Sequence, residues 1–189
     1  MKSYAVMLLA EGFEESEAVM TLDVLRRLNI EVKTVSTSND ENMLVKSCRN
    51  IAIQADEHLN ELNADNVNAV ILPGGMPGAT NLRDNEAVIN LLDFVYNDNN
   101  GLVAAICAAP IVLAKAGLLK GKKYSCYPSF EEQIEDGEYN SDAVTVDGRV
   151  ITGFGPGAAF LFGGEIAKFY KKTDVEVKDL FSAMLIDKV

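Results

Sequence analysis

Residues 102–110 read LVAAICAAP. Leu102 to Ile106 form a short run that is apolar on both faces, the composition of an inner strand in a parallel sheet. Ala108 to Ala116 then takes helical composition, and Gly117 ends it. Pro110 suits a first helical turn, where its missing N–H is not needed. A buried strand therefore breaks directly into a helix at Cys107.

The same alternation extends outward in both directions. YAVMLLA (4–10), EVKTVS (31–36) and NAVILPGG (68–75) read as further strands. Helical spacing of apolar residues predicts helices over 14–28 and 85–96. Asn39-Asp40 marks a turn, and MLVKS and NIAIQ beyond it suggest a hairpin. AVTVDGRVITG (143–153) carries Asp147-Gly148 between two alternating runs, a second hairpin signal. Helices over 157–170 and 175–186 close the chain. Repeated strand–helix alternation predicts an α/β fold, a mostly parallel sheet with helices on both faces. The 189 residues suit one domain over 1–189, with no internal repeat or linker.

In such sheets, sites lie at the carboxyl ends of the strands. Four unusual segments fall there: EGFEESE, PGGMPG, ICAAP and GFGPG. Their convergence points to one site.

The net charge of −11 argues against nucleic acid and anionic membrane surfaces as partners, because both select Lys/Arg patches. The first apolar run is too short for a signal peptide or a membrane span. Three cysteines, Cys48, Cys107 and Cys126, show no CxxC spacing. That excludes a disulfide framework and a recognisable zinc site, and fits a reduced, cytoplasmic protein. No metal or cofactor is expected.

Cys107 is the candidate nucleophile. At a strand-to-helix junction its sulfur meets free backbone N–H groups, which are expected to stabilise thiolate and lower its pKa. The alternative is an inert buried cysteine, since free cysteines often pack as small apolar groups. Glu14, Glu15 and Glu17 open the first helix, where acids interact well with the dipole. Glu17, next to the apolar stripe, is expected to face inward and hold a raised pKa beside the thiol. Gly74 and Gly75 permit close backbone approach and offer N–H donors for an oxyanion, together with Ala108. Arg49 is a candidate anion contact. Cys126, Tyr127, Phe154, Gly155 and Pro156 are candidate pocket residues. His58, the single histidine, lies in the acidic ADEHLNEL and is expected to face solvent.

Taken together, the GFEESE entry, ILPGGMPGATNL, AAICAAP, SCYP and GFGPG resemble the ThiJ/PfpI superfamily, in its DJ-one (Parkinsonism-associated protein) branch, over nearly the full length. The resemblance implies a flavodoxin-like three-layer sandwich and a homodimer. It implies that Cys107 is an oxidation-prone thiol and Glu17 its protonated partner. It implies backbone donors at Gly74 and Gly75, and places Arg49 near the pocket. Hydrolase-like branches place His after the cysteine, where this chain has Ala108, which argues against a peptidase. Many relatives have His-Pro where this chain has Tyr127-Pro128, and some have Arg at Phe154.

Two functions follow from the resemblance. One is cysteine-dependent detoxification of reactive dicarbonyls, as a glutathione-independent glyoxalase (methylglyoxal to lactate) or a deglycase of early glycation adducts, with a small aldehyde or dicarbonyl as substrate. The other is a redox-sensing or chaperone-like stress protein, in which Cys107 is oxidised to sulfinic acid without turnover.

Overall fold

The computed structural model describes residues 3–38 and 42–188. The turn expected at Asn39-Asp40 lies outside the described residues. In chain order the main elements are β1 (Tyr4–Leu9), α1 (Glu15–Arg27), β2 (Val32–Ser36), β3 (Leu44–Lys46), β4 (Ala52–Gln54) and β5 (Glu57–His58). There follow β6 (Val67–Leu72), α2 (Gly78–Arg83), α3 (Glu86–Asp93), β7 (Leu102–Ile106) and α4 (Pro110–Lys115). The chain continues through β8 (Lys123–Tyr124), β9 (Glu138–Tyr139), β10 (Val144–Asp147), β11 (Val150–Gly153), α5 (Ala159–Phe169) and α6 (Asp174–Ala183).

Seven strands form one sheet in the order β10-β11-β7-β6-β1-β2-β5. All neighbours are parallel except the β10–β11 hairpin. The inner order β2-β1-β6-β7-β11 is that of a flavodoxin-like sheet. The order reverses between β1 and β6, and ligand crevices open at such a switch point.

Strand alternation builds two cores, one on each face. On β1, Ala5, Met7 and Leu9 pack with Val24 and Leu25 of α1 and with Phe162 and Ile166 of α5. Val6 and Leu8 point the other way, toward Leu82 of α2, Val88 and Leu92 of α3, and Val112 of α4. Every residue of β1 and β7 is buried, so both strands lack a polar face in sequence as well as in structure.

The helices are shorter than their apolar spacing suggests. The segment after α3 widens into a π-helical turn over Phe94–Asp98, and α4 begins only at Pro110. β3 and β4 form the expected antiparallel hairpin, separate from the main sheet. β5 was not expected. It extends the sheet beside β2, and its His58 is buried rather than solvent-facing. Nδ1 of His58 accepts from the Asn60 N–H at 3.1 Å. That leaves the ring proton on Nε2, which donates to the Ser38 carbonyl at 2.8 Å. No described helix is long and apolar enough to cross a membrane.

Candidate active site

β7 ends at Ile106, and the chain turns sharply at Cys107, whose φ is +64°. A non-glycine residue in that region is strained by about 1–2 kcal/mol and needs its neighbours to hold it. Two backbone bonds do so. The Cys107 N–H donates to the Gly153 carbonyl at 2.8 Å, and its carbonyl accepts from the Tyr127 N–H at 2.9 Å. The half-buried sulfur receives the backbone N–H groups of Ala108 and Gly75. These are turn donors. α4 is only six residues long and starts three residues later, so the expected helix terminus does not act on the thiol.

Glu17 sits in the first turn of α1 and is fully buried. Its Oε2 accepts from the Gly74 N–H at 2.8 Å. Its Oε1 is buried without a well-formed hydrogen bond, and the Cys107 thiol faces the carboxyl. Burial raises the Glu17 pKa to about 7, against the opposing pull of the thiol and the Gly74 N–H. For Cys107 the expectation of a lowered pKa does not hold. Burial first, then the Glu17 carboxylate, push the thiol up, and the Ala108 and Gly75 N–H groups only partly offset them. Two negative charges in this space oppose each other, so the pair titrates as a unit that retains one proton when it first ionises.

Glycine is required where β6 meets this pair. A Cβ on Gly74 would lie 2.7 Å from the Cys107 Cβ and 2.8 Å from the Glu17 Oε2. One on Gly75, whose φ is +88°, would lie 2.3 Å from the Glu14 nitrogen. The two glycines divide the work differently from expectation. The Gly74 N–H is taken by Glu17 and cannot serve an oxyanion, whereas the Gly75 N–H reaches the sulfur with that of Ala108.

A cavity of about 500 Å³ opens over Cys107, lined by Gly75, Met76, Ala108, Tyr127, Phe130 and Pro156, with Glu14, Cys48 and Arg49 completing the wall. Arg49 pairs with the Glu14 carboxylate, and its Nη1 also reaches Cys48 Sγ at 3.0 Å. Cys48 donates to Glu14 Oε2 at 3.1 Å. Burial opposes the charge on Glu14, yet hydrogen bonds from Ser16, Cys48 and Arg49 hold its pKa below the usual value. Burial and the neighbouring carboxylate push the Cys48 thiol up to about 11. Ligand atoms of Glu14, Glu15 and Cys48 lie within 4.8 Å of one another. The Arg49 guanidinium already supplies the positive charge to this cluster.

The remaining expected pocket residues, Cys126, Phe154 and Gly155, do not line the cavity. Cys126 is fully buried, 3.9 Å from Glu131 Oε2, with its thiol pushed up to about 12 by burial and that carboxylate. The backbone of Gly155 backs the Tyr127 ring, and Phe154 is fixed by its N–H to the Ala143 carbonyl at 3.1 Å. The sequence did not single out Glu14, Cys48, Met76 or Phe130 for the site. Glu14 was explained by the helix dipole alone. Phe130 carried a weak signal, three residues after Tyr127 in a turn closed by its N–H to the Tyr127 carbonyl. A larger cavity of about 880 Å³, lined by residues including Glu11, Thr37, Asn81 and Asp84, contains no thiol and no histidine.

Known proteins share this sequence and fold over most of the chain. A family model described as "DJ-1/PfpI family" matches residues 3–169. Protein dj-1beta of Drosophila melanogaster is 39% identical over 170 residues, covering 89% of each chain. The crystal structure of Drosophila melanogaster DJ-1beta superposes with a TM-score of 0.90 at 36% identity, covering 98% of each chain. The structure titled "Toxoplasma gondii DJ-1, oxidized" gives a TM-score of 0.86 at 30% identity, over 97% of this chain and 98% of that one. On the match of nearly its whole length, and with the strained cysteine turn at its centre, this chain belongs to the DJ-1/PfpI family.

Proposed function

We propose that this chain converts reactive dicarbonyls to 2-hydroxy acids without glutathione, using Cys107 as nucleophile and Glu17 as proton carrier. The observation that carries the reading is the buried Glu17 carboxyl, with a pKa raised to about 7, facing a thiol on a strained turn at the floor of a cavity. A group titrating near neutrality can both give and take a proton at working pH. In the single-proton state the Glu17 carboxylate takes the proton of the Cys107 thiol as the sulfur adds to the aldehyde carbon of methylglyoxal. Glu17 protonates the resulting oxygen, and the Gly75 and Ala108 N–H groups support the developing charge. Glu17 then takes the proton from that carbon, the ketone oxygen gains a proton to give an enediol, and Glu17 returns its proton to the neighbouring carbon as the hydroxyl on the first carbon loses its own and becomes the thioester carbonyl. Water hydrolyses the resulting thioester to lactate and frees the thiol. The first carbon is oxidised as the second is reduced, so no external electron carrier is needed. The same addition step would serve a deglycase acting on early glycation adducts.

The single histidine supports chemistry other than Cys–His hydrolysis. Both ring nitrogens of His58 are engaged by backbone groups, on a strand at the edge of the sheet. The half-exposed apolar side chains of Val19 on α1 and Ile51 on the β3–β4 hairpin suit a homodimer. The free cysteines suit a cytoplasmic setting.

The test is methylglyoxal conversion to lactate in amine-free buffer without glutathione. Wild type should turn over, Cys107→Ala should show none, and Glu17→Gln should lose about 10²–10⁴-fold in rate. Turnover that survives in Cys107→Ala, or is absent from wild type, would overturn the reading. A second reading is favoured by the likeness to a structure titled as oxidised. In it, peroxide adds two oxygens to Cys107, and the sulfinate is held by the Gly75 and Ala108 N–H groups and by protonated Glu17. Intact mass after peroxide treatment, with Cys107→Ala as control, tests that reading separately.

A further inference from the structure

The cavity over Cys107 is larger than methylglyoxal requires, and the part of its wall formed by Tyr127, Phe130, Met76 and Pro156 is apolar. We propose that the site favours 2-oxoaldehydes whose second substituent is aromatic or branched alkyl, and that Tyr127 selects them. This inference rests on the glyoxalase reading above and names its substrate class.

Tyr127 is held as a fixed wall. Its N–H donates to the Cys107 carbonyl at 2.9 Å, which ties the residue directly to the nucleophile's turn. Its ring meets that of Phe130 edge to face, with centroids 6.4 Å apart and planes at 81°. Behind it, Gly155 offers bare backbone, where a Cβ would lie 3.3 Å from the ring. The ring is thus supported by two neighbours, yet Tyr127 remains 48% exposed. Met76 adds a second exposed apolar side chain to the same cavity, also 48% exposed. An apolar substituent laid against these groups removes their surface from water as well as its own.

The charged side of the cavity does not compete for that substituent. Arg49 is already committed to Glu14 and Cys48, and Glu14 is held ionised. A dicarbonyl with its aldehyde carbon bonded to Cys107 and its oxygens toward the Gly75 and Ala108 N–H groups has one group left to place. Against the apolar wall, a phenyl or isobutyl group gains contacts that a hydrogen or methyl cannot reach. The overall conversion is R–CO–CHO plus water to R–CHOH–COO⁻ plus a proton, with oxidation at the first carbon balanced by reduction at the second.

The experiment compares initial-rate kcat/KM for glyoxal, methylglyoxal, isobutylglyoxal and phenylglyoxal in wild type, Tyr127→Ala, Tyr127→Phe and Cys107→Ala. Wild type should favour phenylglyoxal over methylglyoxal by about tenfold or more, as extra apolar contact in a pocket typically does. Tyr127→Phe, which keeps the ring, should preserve that ratio, and Tyr127→Ala should bring it close to one. Cys107-dependent turnover with no preference for the larger substituents, or a preference unchanged in Tyr127→Ala, would overturn the selectivity and leave the glyoxalase reading standing. Absence of Cys107-dependent turnover for all four substrates would overturn both.

Discussion

Among the described residues Glu17 has no ion-pair partner; one oxygen accepts from the Gly74 N–H and the other has no well-formed hydrogen bond. Its ordinary pKa of 4.5 is raised to about 7, chiefly by burial. The folded protein therefore holds this proton more tightly than the unfolded chain does. The resulting stabilisation is present in full below pH 4.5 and is lost as pH rises through about 7. A shift of that size corresponds to on the order of 3 kcal/mol. Glu17→Gln does not titrate, so its stability relative to wild type should improve by about that amount between pH 4.5 and pH 8. Denaturant unfolding across that range measures it, and a difference flat with pH would contradict the buried-proton picture. The inward position of Glu17 was legible in its place beside the apolar stripe. The upward push on Cys107 was not, because it depends on how close the carboxyl comes to the thiol.

At the scale of elements, the turn after β6 is shaped by what cannot be there. Gly75 has a positive φ and would place a Cβ 2.3 Å from the Glu14 nitrogen, a backbone atom with nowhere to yield. Gly75→Ala should destabilise by about 3 kcal/mol or more, from strain and overpacking together. Gly121 supplies the control, since it also has a positive φ, of +68°, but nothing within 4 Å of its would-be Cβ. Gly121→Ala should cost only about 1 kcal/mol. Equal losses measured by thermal unfolding would show that crowding at Gly75 is unimportant. The strands that were legible in the sequence are the apolar runs β1, β6 and β7, the run of β2, and the two hairpins β3–β4 and β10–β11. β5 was hidden because two polar residues form it, and His58 is buried by hydrogen bonds to backbone rather than by hydrophobicity. α2 was hidden by its composition, with Gly78 at its start and Pro77 before it.

Across the whole molecule, the fold explains why distant segments share one site. β1, β6 and β7 run parallel and adjacent, so the turns that follow them end on the same edge of the sheet. The reversal of strand order between β1 and β6 lets α1 and the β6 turn meet there, carrying Glu17 and Gly74 to each other. The β11 end joins through Gly153, which accepts the Cys107 N–H. Convergence of these segments could be inferred from alternation alone. The Glu14–Cys48–Arg49 wall could not, because the β3–β4 hairpin lies outside the main sheet and the strand order does not place it. The most direct test of the shared proton is the pH dependence of kcat/KM for methylglyoxal, which reports ionisations of the free enzyme. In wild type it should rise with pH through an apparent pKa near 7, as the Cys107–Glu17 pair gives up its first proton. In Glu17→Gln the rate should collapse and that ascending limb should leave its place. An identical profile and rate in the two proteins would contradict the mechanism.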